Sequence, residues 1–108
     1  MTITESQSTS ANKVVWATLT AEETGDAYEP FAVRGAVASV QMTGTFGGTV
    51  TLEGSNDGTN WFTLSAVDGS DIALSGAGLV DFSTACQYIR PNAGTGVGAV
   101  DVILMVRG

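Results

Sequence analysis

Two segments of this sequence alternate between apolar and polar residues, as strands with one buried face do. The first is residues 36–43, whose apolar positions on one face are Ala38, Val40 and Met42. The second is residues 99–107, whose apolar positions on one face are Val100, Val102, Leu104 and Val106. The other face of this last segment is half apolar. It is therefore either a central strand covered on both sides or a strand whose outer face meets another chain.

Turn-forming residues separate these segments from further short strands. The glycine-containing stretch Thr45–Thr49 leads into Thr49–Glu53, where Val50 and Leu52 face inward. We expect this strand to form a hairpin with residues 36–43. A second turn, Ser55–Asn60, leads into Trp61–Leu64, in which Phe62 and Leu64 share a face. The prediction is a three-stranded meander.

The remaining segments give weaker patterns. Residues 14–20 alternate imperfectly, and residues 71–74, 79–83 and 87–90 are shorter strand candidates. Pro30 lacks an amide donor, so residues 28–33 belong at a sheet edge or in a loop. Residues 21–27 are the one place where a helical turn is plausible, and Gly25 would end it.

These patterns together favour an all-β protein. About seven or eight short strands bounded by turns predict a two-sheet antiparallel β-sandwich, jelly-roll-like rather than a closed barrel. Residues 44–52 also echo residues 94–102, since each has a glycine turn feeding a strand. We interpret the echo as shared turn chemistry rather than duplication.

The first 12 residues differ from the rest of the chain. They are polar and rich in Ser and Thr, which predicts a flexible N-terminal arm over residues 1–12 and a single domain over residues 13–108. The opening has neither the basic nor the apolar part of a signal peptide, and no run approaches the roughly 20 apolar residues of a membrane span. We expect no membrane partner, and the arm could order against a partner protein.

Charge and composition narrow the chemistry. The chain has 11 Asp and Glu, 4 Lys and Arg and no His, for a net charge of -7. Without His, catalytic triads and the usual zinc sites cannot form within the chain. The negative charge disfavours nucleic acid. We therefore expect no enzyme activity, no cofactor, no metal site and no nucleic-acid partner.

Cys86 is the single cysteine, so no disulfide can form within the chain. We interpret it as a small buried residue. A reactive thiol would need a nearby cation; Arg90 is close in sequence, but no base is adjacent.

The stretch Ser55–Trp61 is the most motif-like part of the sequence. A hairpin loop accounts for most of it, because Asx side chains support turns and Gly58 tolerates positive φ. The alternatives are a sugar platform, with Trp61 stacking and Asn56, Asp57 and Asn60 reaching hydroxyls, or a calcium loop using the same oxygens. The stretch does not follow the EF-hand register.

Two further groups of charged residues stand out. The carboxylates Glu22, Glu23, Asp26 and Glu29 cluster, but the adjacent glutamates face apart, and a solvated acidic loop is the preferred interpretation. Arg34 and Arg90 are scarce cations in an acidic protein. Each is expected to pair with a carboxylate, internally or across a subunit boundary.

A family resemblance rests on the polar arm, the Gly-, Thr- and Val-rich composition, the stretch 43–61 and the segment Tyr88–Pro91. The sequence resembles the capsid decoration, or cement, proteins of tailed bacteriophages. The resemblance implies a structural virion protein, made in the host cytoplasm, that binds the major capsid protein on the outer capsid surface. It also implies a homo-oligomer, with a trimer favoured.

Under this interpretation four residues are candidate partner contacts: Ile3, Arg34, Trp61 and Arg90. The alternative functions are a carbohydrate-binding module, in which Trp61 and a second aromatic such as Tyr28 or Tyr88 are exposed together, and a tail or baseplate β-sandwich module.

Overall fold

The computed structural model describes residues 3–7, 11–29, 37–84 and 86–107. These ranges contain no helix long and apolar enough to cross a bilayer. They form nine strands: β1 (Ile3–Gln7), β2 (Ala11–Leu19), β3 (Val37–Thr45), β4 (Val50–Ser55), β5 (Phe62–Thr63), β6 (Ala73–Leu74), β7 (Gly78–Ser83), β8 (Tyr88–Ala93) and β9 (Ala99–Arg107).

The strands form two antiparallel sheets. The first sheet has five strands in the order β1-β2-β9-β3-β7. In the second sheet, β4 pairs along its length with β8 and, on its other edge, with the short strands β5 and β6. Both sheets turn an apolar face toward a shared core. The predicted all-β, two-sheet antiparallel β-sandwich is confirmed. Strands β2–β9 match the upper predicted number of eight, and β1 adds a ninth strand.

The core is built from the alternating positions that the sequence indicates. Val40, Met42, Val102 and Leu104 are each fully buried, as are Val50 and Leu52 on β4. β9 is the central strand of the first sheet, since β2 and β3 flank it. Its outer face is only partly covered in the isolated chain, because Ile103 and Met105 remain half-buried.

A bulge explains the imperfect alternation of β2. Trp16 pairs with Val102 and Leu19 pairs with Val100, so β2 has one extra residue over this stretch. The extra residue lets both Trp16 and Leu19 face the core, where both are fully buried. Thr18, at the bulge, has a φ of 58°, and its amide donates a 2.8 Å hydrogen bond to Asp101 Oδ1 on β9.

The predicted β3–β4 hairpin, and with it the three-stranded meander, is wrong. β3 lies in the first sheet between β9 and β7, whereas β4 lies in the second sheet. The Thr45–Thr49 turn therefore crosses between the sheets. Alternation specifies which side chains face the core but not which sheet a strand joins, because both sheets bury the same kind of face. The β4–β5 hairpin across the Ser55–Asn60 turn is present.

The two glycine turns of the sequence echo meet in space. Gly94 N donates to Thr49 O at 2.8 Å, and Gly98 N donates to Thr45 O at 3.1 Å. One turn carries the chain from β3 to β4, and the other carries it from β8 to β9. The echo thus corresponds to two sheet-to-sheet crossings packed against each other.

The helical turn expected at residues 21–27 is absent. After a tight turn in which Glu23 N donates to Thr20 O at 3.1 Å, the chain runs beside β8: Gly25 N donates to Pro91 O at 2.9 Å, and Tyr28 and Ile89 exchange two 2.8 Å hydrogen bonds. Gly25 also packs against Trp16, since a Cβ at this position would lie 2.4 Å from the Trp16 ring. Tertiary pairing with β8 outweighs the weak local helix preference.

The N-terminal residues form part of the first sheet. Residues 3–7, which we predicted to belong to a flexible arm, are placed in β1, paired with β2. Ala11 and Asn12 already belong to β2. The division of the chain into an arm and a domain stays a prediction.

Candidate binding surface around the Ser55–Asn60 loop

The loop between β4 and β5 is organised around the Asp57 carboxylate. Its Oδ1 accepts hydrogen bonds from the amides of Thr59 and Asn60, each at 2.8 Å, and from the Ser55 hydroxyl at 2.9 Å. Its Oδ2 accepts a 2.8 Å hydrogen bond from Asn60 Nδ2. These donors favour the charged carboxylate and, led by the backbone amides of Asn60 and Thr59, hold the pKa of Asp57 well below its usual value.

Two further contacts fix the loop to the sheet below it. The Ser55 hydroxyl, which is buried, accepts from the amides of Asp57 and Gly58 at 3.2 and 2.9 Å. Asn56 Oδ1 accepts a 2.9 Å hydrogen bond from the amide of Gln87, just before β8. Gly58 has a φ of 76° and lies over Tyr88, so that a Cβ here would be 3.5 Å from the Tyr88 ring. The loop is therefore held in one shape by its own polar side chains.

This geometry bears on the sugar and calcium alternatives. Both carboxylate oxygens of Asp57 and the side-chain oxygen of Asn56 already accept hydrogen bonds from the protein. Within the described ranges, no group of three or more acidic or cysteine side chains is arranged to hold a metal ion. The polar groups support the turn, as the hairpin interpretation expects.

Trp61 and Arg90 lie together on the outer face of the second sheet. The Cζ of Arg90 is 4.0 Å from the centre of the Trp61 ring, the geometry of a cation–π contact. Arg90 Nε also donates to Glu53 Oε1 at 3.1 Å, and Asn92 Nδ2 donates to Glu53 Oε2 at 3.2 Å. We call Trp61, Arg90, Glu53 and Asn92 the Trp61 cluster. The guanidinium group of Arg90 is thus positioned by both the Trp61 ring and the Glu53 carboxylate.

A small open pocket of about 320 Å³ lies next to the Ser55–Asn60 loop. Its apolar side is formed by Gly54, Phe62, Leu64 and Cys86, and residues of the loop form its polar rim. Phe62 and Leu64 line this pocket together, as their predicted shared face expects, but Phe62 is 72% exposed whereas Leu64 packs against the core. β5 has only two residues, in which Phe62 pairs with Gly54 and Thr63 pairs with Glu53, and the Phe62 side chain projects into solvent at this edge of the sheet.

Gly54 allows this pocket to have its present shape. A Cβ at this position would lie 2.8 Å from both Cys86 Sγ and Leu64 Cδ2. Cys86 is half-buried rather than fully buried, and its thiol donates to the carbonyl oxygen of Tyr88 at 3.3 Å. The thiol is thus partly accessible at the pocket and already hydrogen-bonded.

The structure brings together two of the four predicted partner contacts. Trp61 and Arg90 stack on each other, and Arg90 pairs with a carboxylate inside the chain, as expected. Arg34 lies outside the described residues, and for Ile3 only the backbone is described. Tyr28, named as a second exposed aromatic for sugar binding, is 2% exposed and belongs to the core.

Sequence reasoning missed Glu53 and Phe62 as parts of this surface. Glu53 faces Arg90 only because β4 pairs with β8 in the register that places these residues opposite each other. No local signal shows that pairing, since the two strands are far apart in sequence. The exposure of Phe62 follows from the shortness of β5, which the alternation around it does not indicate.

The acidic segment before residue 30 is a solvent-facing strip. Glu22, Asp26 and Glu29 are exposed, and Glu29 accepts a hydrogen bond from the Gln87 side chain. Glu23 Oε1 accepts from the Thr20 hydroxyl at 2.6 Å and from the Thr20 amide at 2.7 Å, and these bonds lower the pKa of Glu23. Three of the four carboxylates thus face solvent, as the interpretation of a solvated acidic loop expects.

Comparisons with known proteins show the fold. No protein-family model and no curated protein sequence matches this chain. Among solved structures, the SPBc2 prophage-derived protein YomS is similar over 95% of this chain and 99% of its own, with a TM-score of 0.72 and 14% identity. A structure of Bacillus endospore appendages, which form disulfide-linked pili, is similar over 98% of this chain and 87% of its own, with a TM-score of 0.54 and 19% identity.

Proposed function

We propose that this protein is a non-enzymatic structural protein of a phage virion that binds the outer capsid surface and stabilises contacts between capsomers. Its partners would be the major capsid protein and further copies of the chain. The trimer implied by the resemblance stays a prediction. No step of this role needs a cofactor, nucleic acid or membrane.

The observation that carries the proposal is the exposed aromatic surface at the β4–β5 loop. Phe62 is 72% exposed at the start of β5, on the opposite face of that strand from Trp61, and it follows a loop that four hydrogen bonds to one carboxylate hold in shape. Aromatic and arginine side chains on a preorganised surface are the usual anchors of protein–protein contacts. We therefore assign Phe62 and Trp61 to the contact with the shell.

Charge and fold similarity support the same role. Arg90, one of only four cations, is already engaged by Glu53 and Trp61, which leaves few cations for phosphate contacts. A net charge of -7 keeps the free protein soluble before assembly. The same fold occurs in a prophage-derived protein and in appendages that assemble into pili. In both settings a β-sandwich can act by contacting other protein chains through its surface.

Cosedimentation with purified shells that lack this protein tests the proposal. The wild-type protein should sediment with shells, and Phe62→Ala should weaken attachment by about tenfold or more. Val67→Ala is the matched control, because Val67 is 76% exposed but lies on a different turn. Equal attachment of the Phe62→Ala and Val67→Ala proteins would remove Phe62 from the contact.

Electron microscopy of intact particles separates the capsid role from its alternatives. Density for the protein on the outer capsid surface supports decoration, whereas density in the tail or baseplate contradicts it while keeping a structural role. Glycan binding that Trp61→Ala abolishes would support the carbohydrate-binding alternative instead. We expect none, because Arg90 covers one face of the Trp61 ring.

A further inference from the structure

The outer face of the first sheet carries an apolar row that the described residues cover only in part. Val15, Ile103, Gln41 and Leu79 are consecutive partners across β2, β9, β3 and β7, so their side chains form one row on one face. Three of the four are aliphatic, and Leu79 is 65% exposed. A solvated sheet face normally carries mostly polar residues, so this row marks a contact surface.

The neighbouring row carries opposite charges at its two ends. Lys13, Met105, Ser39 and Asp81 are paired across the same four strands. Lys13 and Asp81 are both exposed, and neither has an ion-pair partner within the described ranges. With Lys13 on β2 and Asp81 on β7, this face has the charge pattern that a second copy of itself complements.

We propose that two copies of this chain pair through the outer faces of their first sheets, about a two-fold axis parallel to the strands. An axis placed between β9 and β3 exchanges β2 with β7 and brings Lys13 of one copy opposite Asp81 of the other. The same operation places Val15 opposite Leu79. Each contact occurs twice by symmetry, as in any isologous interface.

The rest of the face is compatible with this arrangement. Met105 comes opposite Ser39, and Ile103 comes opposite Gln41, whose methylene groups can cover it. Asp101, the remaining charged residue among the described side chains of the face, comes opposite Thr43, so that like charges do not meet. Two sheets packed face to face with nearly aligned strands are a common arrangement in β proteins.

The size of the face corresponds to a small interface. The four strands that the axis relates, about 4.8 Å apart, and the nine residues of β9 at about 3.3 Å each give a paired face of roughly 570 Å². A stable interface buries about 800 Å² per partner. The pairing does not depend on the capsid proposal, because the Trp61 cluster lies on the outer face of the other sheet.

Sedimentation equilibrium of the purified full chain tests the pairing. The wild-type protein should approach twice the 11.0 kDa chain mass as its concentration rises to about 0.5 mM. A protein that stays monomeric over this range, or that forms a trimer, overturns the two-fold pairing. Neither result bears on shell binding, which is measured separately.

Exchanging the charges of Lys13 and Asp81 tests whether the outer face of the first sheet forms the interface. Lys13→Glu and Asp81→Lys should each weaken self-association by about tenfold, because each places like charges opposite each other twice. The double variant Lys13→Glu/Asp81→Lys should restore association toward the wild-type value. Circular dichroism checks that these exposed substitutions leave the fold intact. A dimer that all three variants leave unchanged would show that pairing uses a different surface.

An apolar substitution provides an independent measurement. Leu79→Ser should weaken association by about tenfold or more, since it removes the most exposed aliphatic side chain of the row. Phe62→Ser is the matched control, because Phe62 is 72% exposed but lies in β5 of the second sheet. Equal association of these two variants would contradict the assignment.

Discussion

Gly48 lies so close to the backbone of Thr95 that a Cβ built on Gly48 would be 2.1 Å from the Thr95 carbonyl oxygen. The contact joins the two turns that carry the chain between the sheets. Gly47 and Gly96 meet in the same place, where a Cβ on Gly47 would be 2.4 Å from Gly96 O. Backbone cannot move aside as a flexible side chain can, so glycine is required here.

Gly48→Ala should therefore destabilise the protein. We expect a loss of about 1–3 kcal/mol in the free energy of unfolding, the usual range for forced overpacking. Gly76→Ala is the control, since nothing lies within 4 Å of a Cβ there. Urea unfolding of both variants measures the difference. Equal stability of the two would mean that the turns separate easily and do not couple the sheets.

Leu104 tests the assignment of the inner face of β9. It is fully buried at the centre of the first sheet, so Leu104→Ala should lower the free energy of unfolding by about 2–5 kcal/mol. Thr43→Ala, on the exposed face of the neighbouring β3, should change it by less than about 0.5 kcal/mol. Thermal or urea unfolding distinguishes these outcomes. An unchanged Leu104→Ala protein would refute the buried face of β9.

The contact between Trp61 and Arg90 predicts an energetic coupling. Arg90 has a side-chain exposure of 25%, so the cation–π contact should be worth about 0.5–1 kcal/mol. A double-mutant cycle with Trp61→Ala, Arg90→Gln and the double variant measures this coupling in the free energy of unfolding. Additive effects of the two substitutions would show that the stacking contributes nothing to stability.

The loop around Asp57 predicts a dependence on pH. The pKa of this carboxyl is lowered from 3.8, mainly by the backbone amides of Asn60 and Thr59, so its charged form stabilises the fold at neutral pH. That contribution is complete above the unfolded pKa and declines as the pH falls below about 3.8 toward the lower folded value. Asp57→Ala should therefore lower the melting temperature at pH 6 to 7, and the difference from wild type should shrink in strong acid.

The matched control for this experiment is Asp101→Ala. Asp101 also accepts a backbone amide, but among the described residues only from Thr18. Its effect on the melting temperature should be smaller than that of Asp57→Ala at neutral pH. A difference between Asp57→Ala and wild type that stays constant with pH would contradict the role of the charged carboxylate.

Prediction from sequence succeeded where side-chain alternation decides the outcome. The buried faces of β3, β4 and β9 were all indicated by their period of two, because each strand must turn its apolar side chains toward a core. It did not indicate the exposure of Phe62, which shares a face with Leu64 but lies in a two-residue strand at the edge of its sheet. It also failed for Gly25, whose role is to leave room for Trp16 rather than to end a helical turn.

The candidate surface was predicted only in part. The loop chemistry of residues 55–60 is local, so the turn and the role of its Asx residues follow from sequence. The pairing of Arg90 with Glu53 depends on the register between β4 and β8, which are separated by more than 30 residues. Local patterns contain no information about such a register.

The sequence alone determined that this chain is an all-β sandwich with a conventional apolar core and no histidine chemistry, because alternation, turn residues and composition are local properties. The tertiary structure decided which sheet each strand joins, and therefore that the glycine turns cross between sheets. It also decided which charged and aromatic side chains meet. Sheet membership and these side-chain contacts depend on pairings between segments that are distant in sequence. Such pairings are selected because they bury the apolar surface of the whole chain, and the preference of any one segment does not decide them.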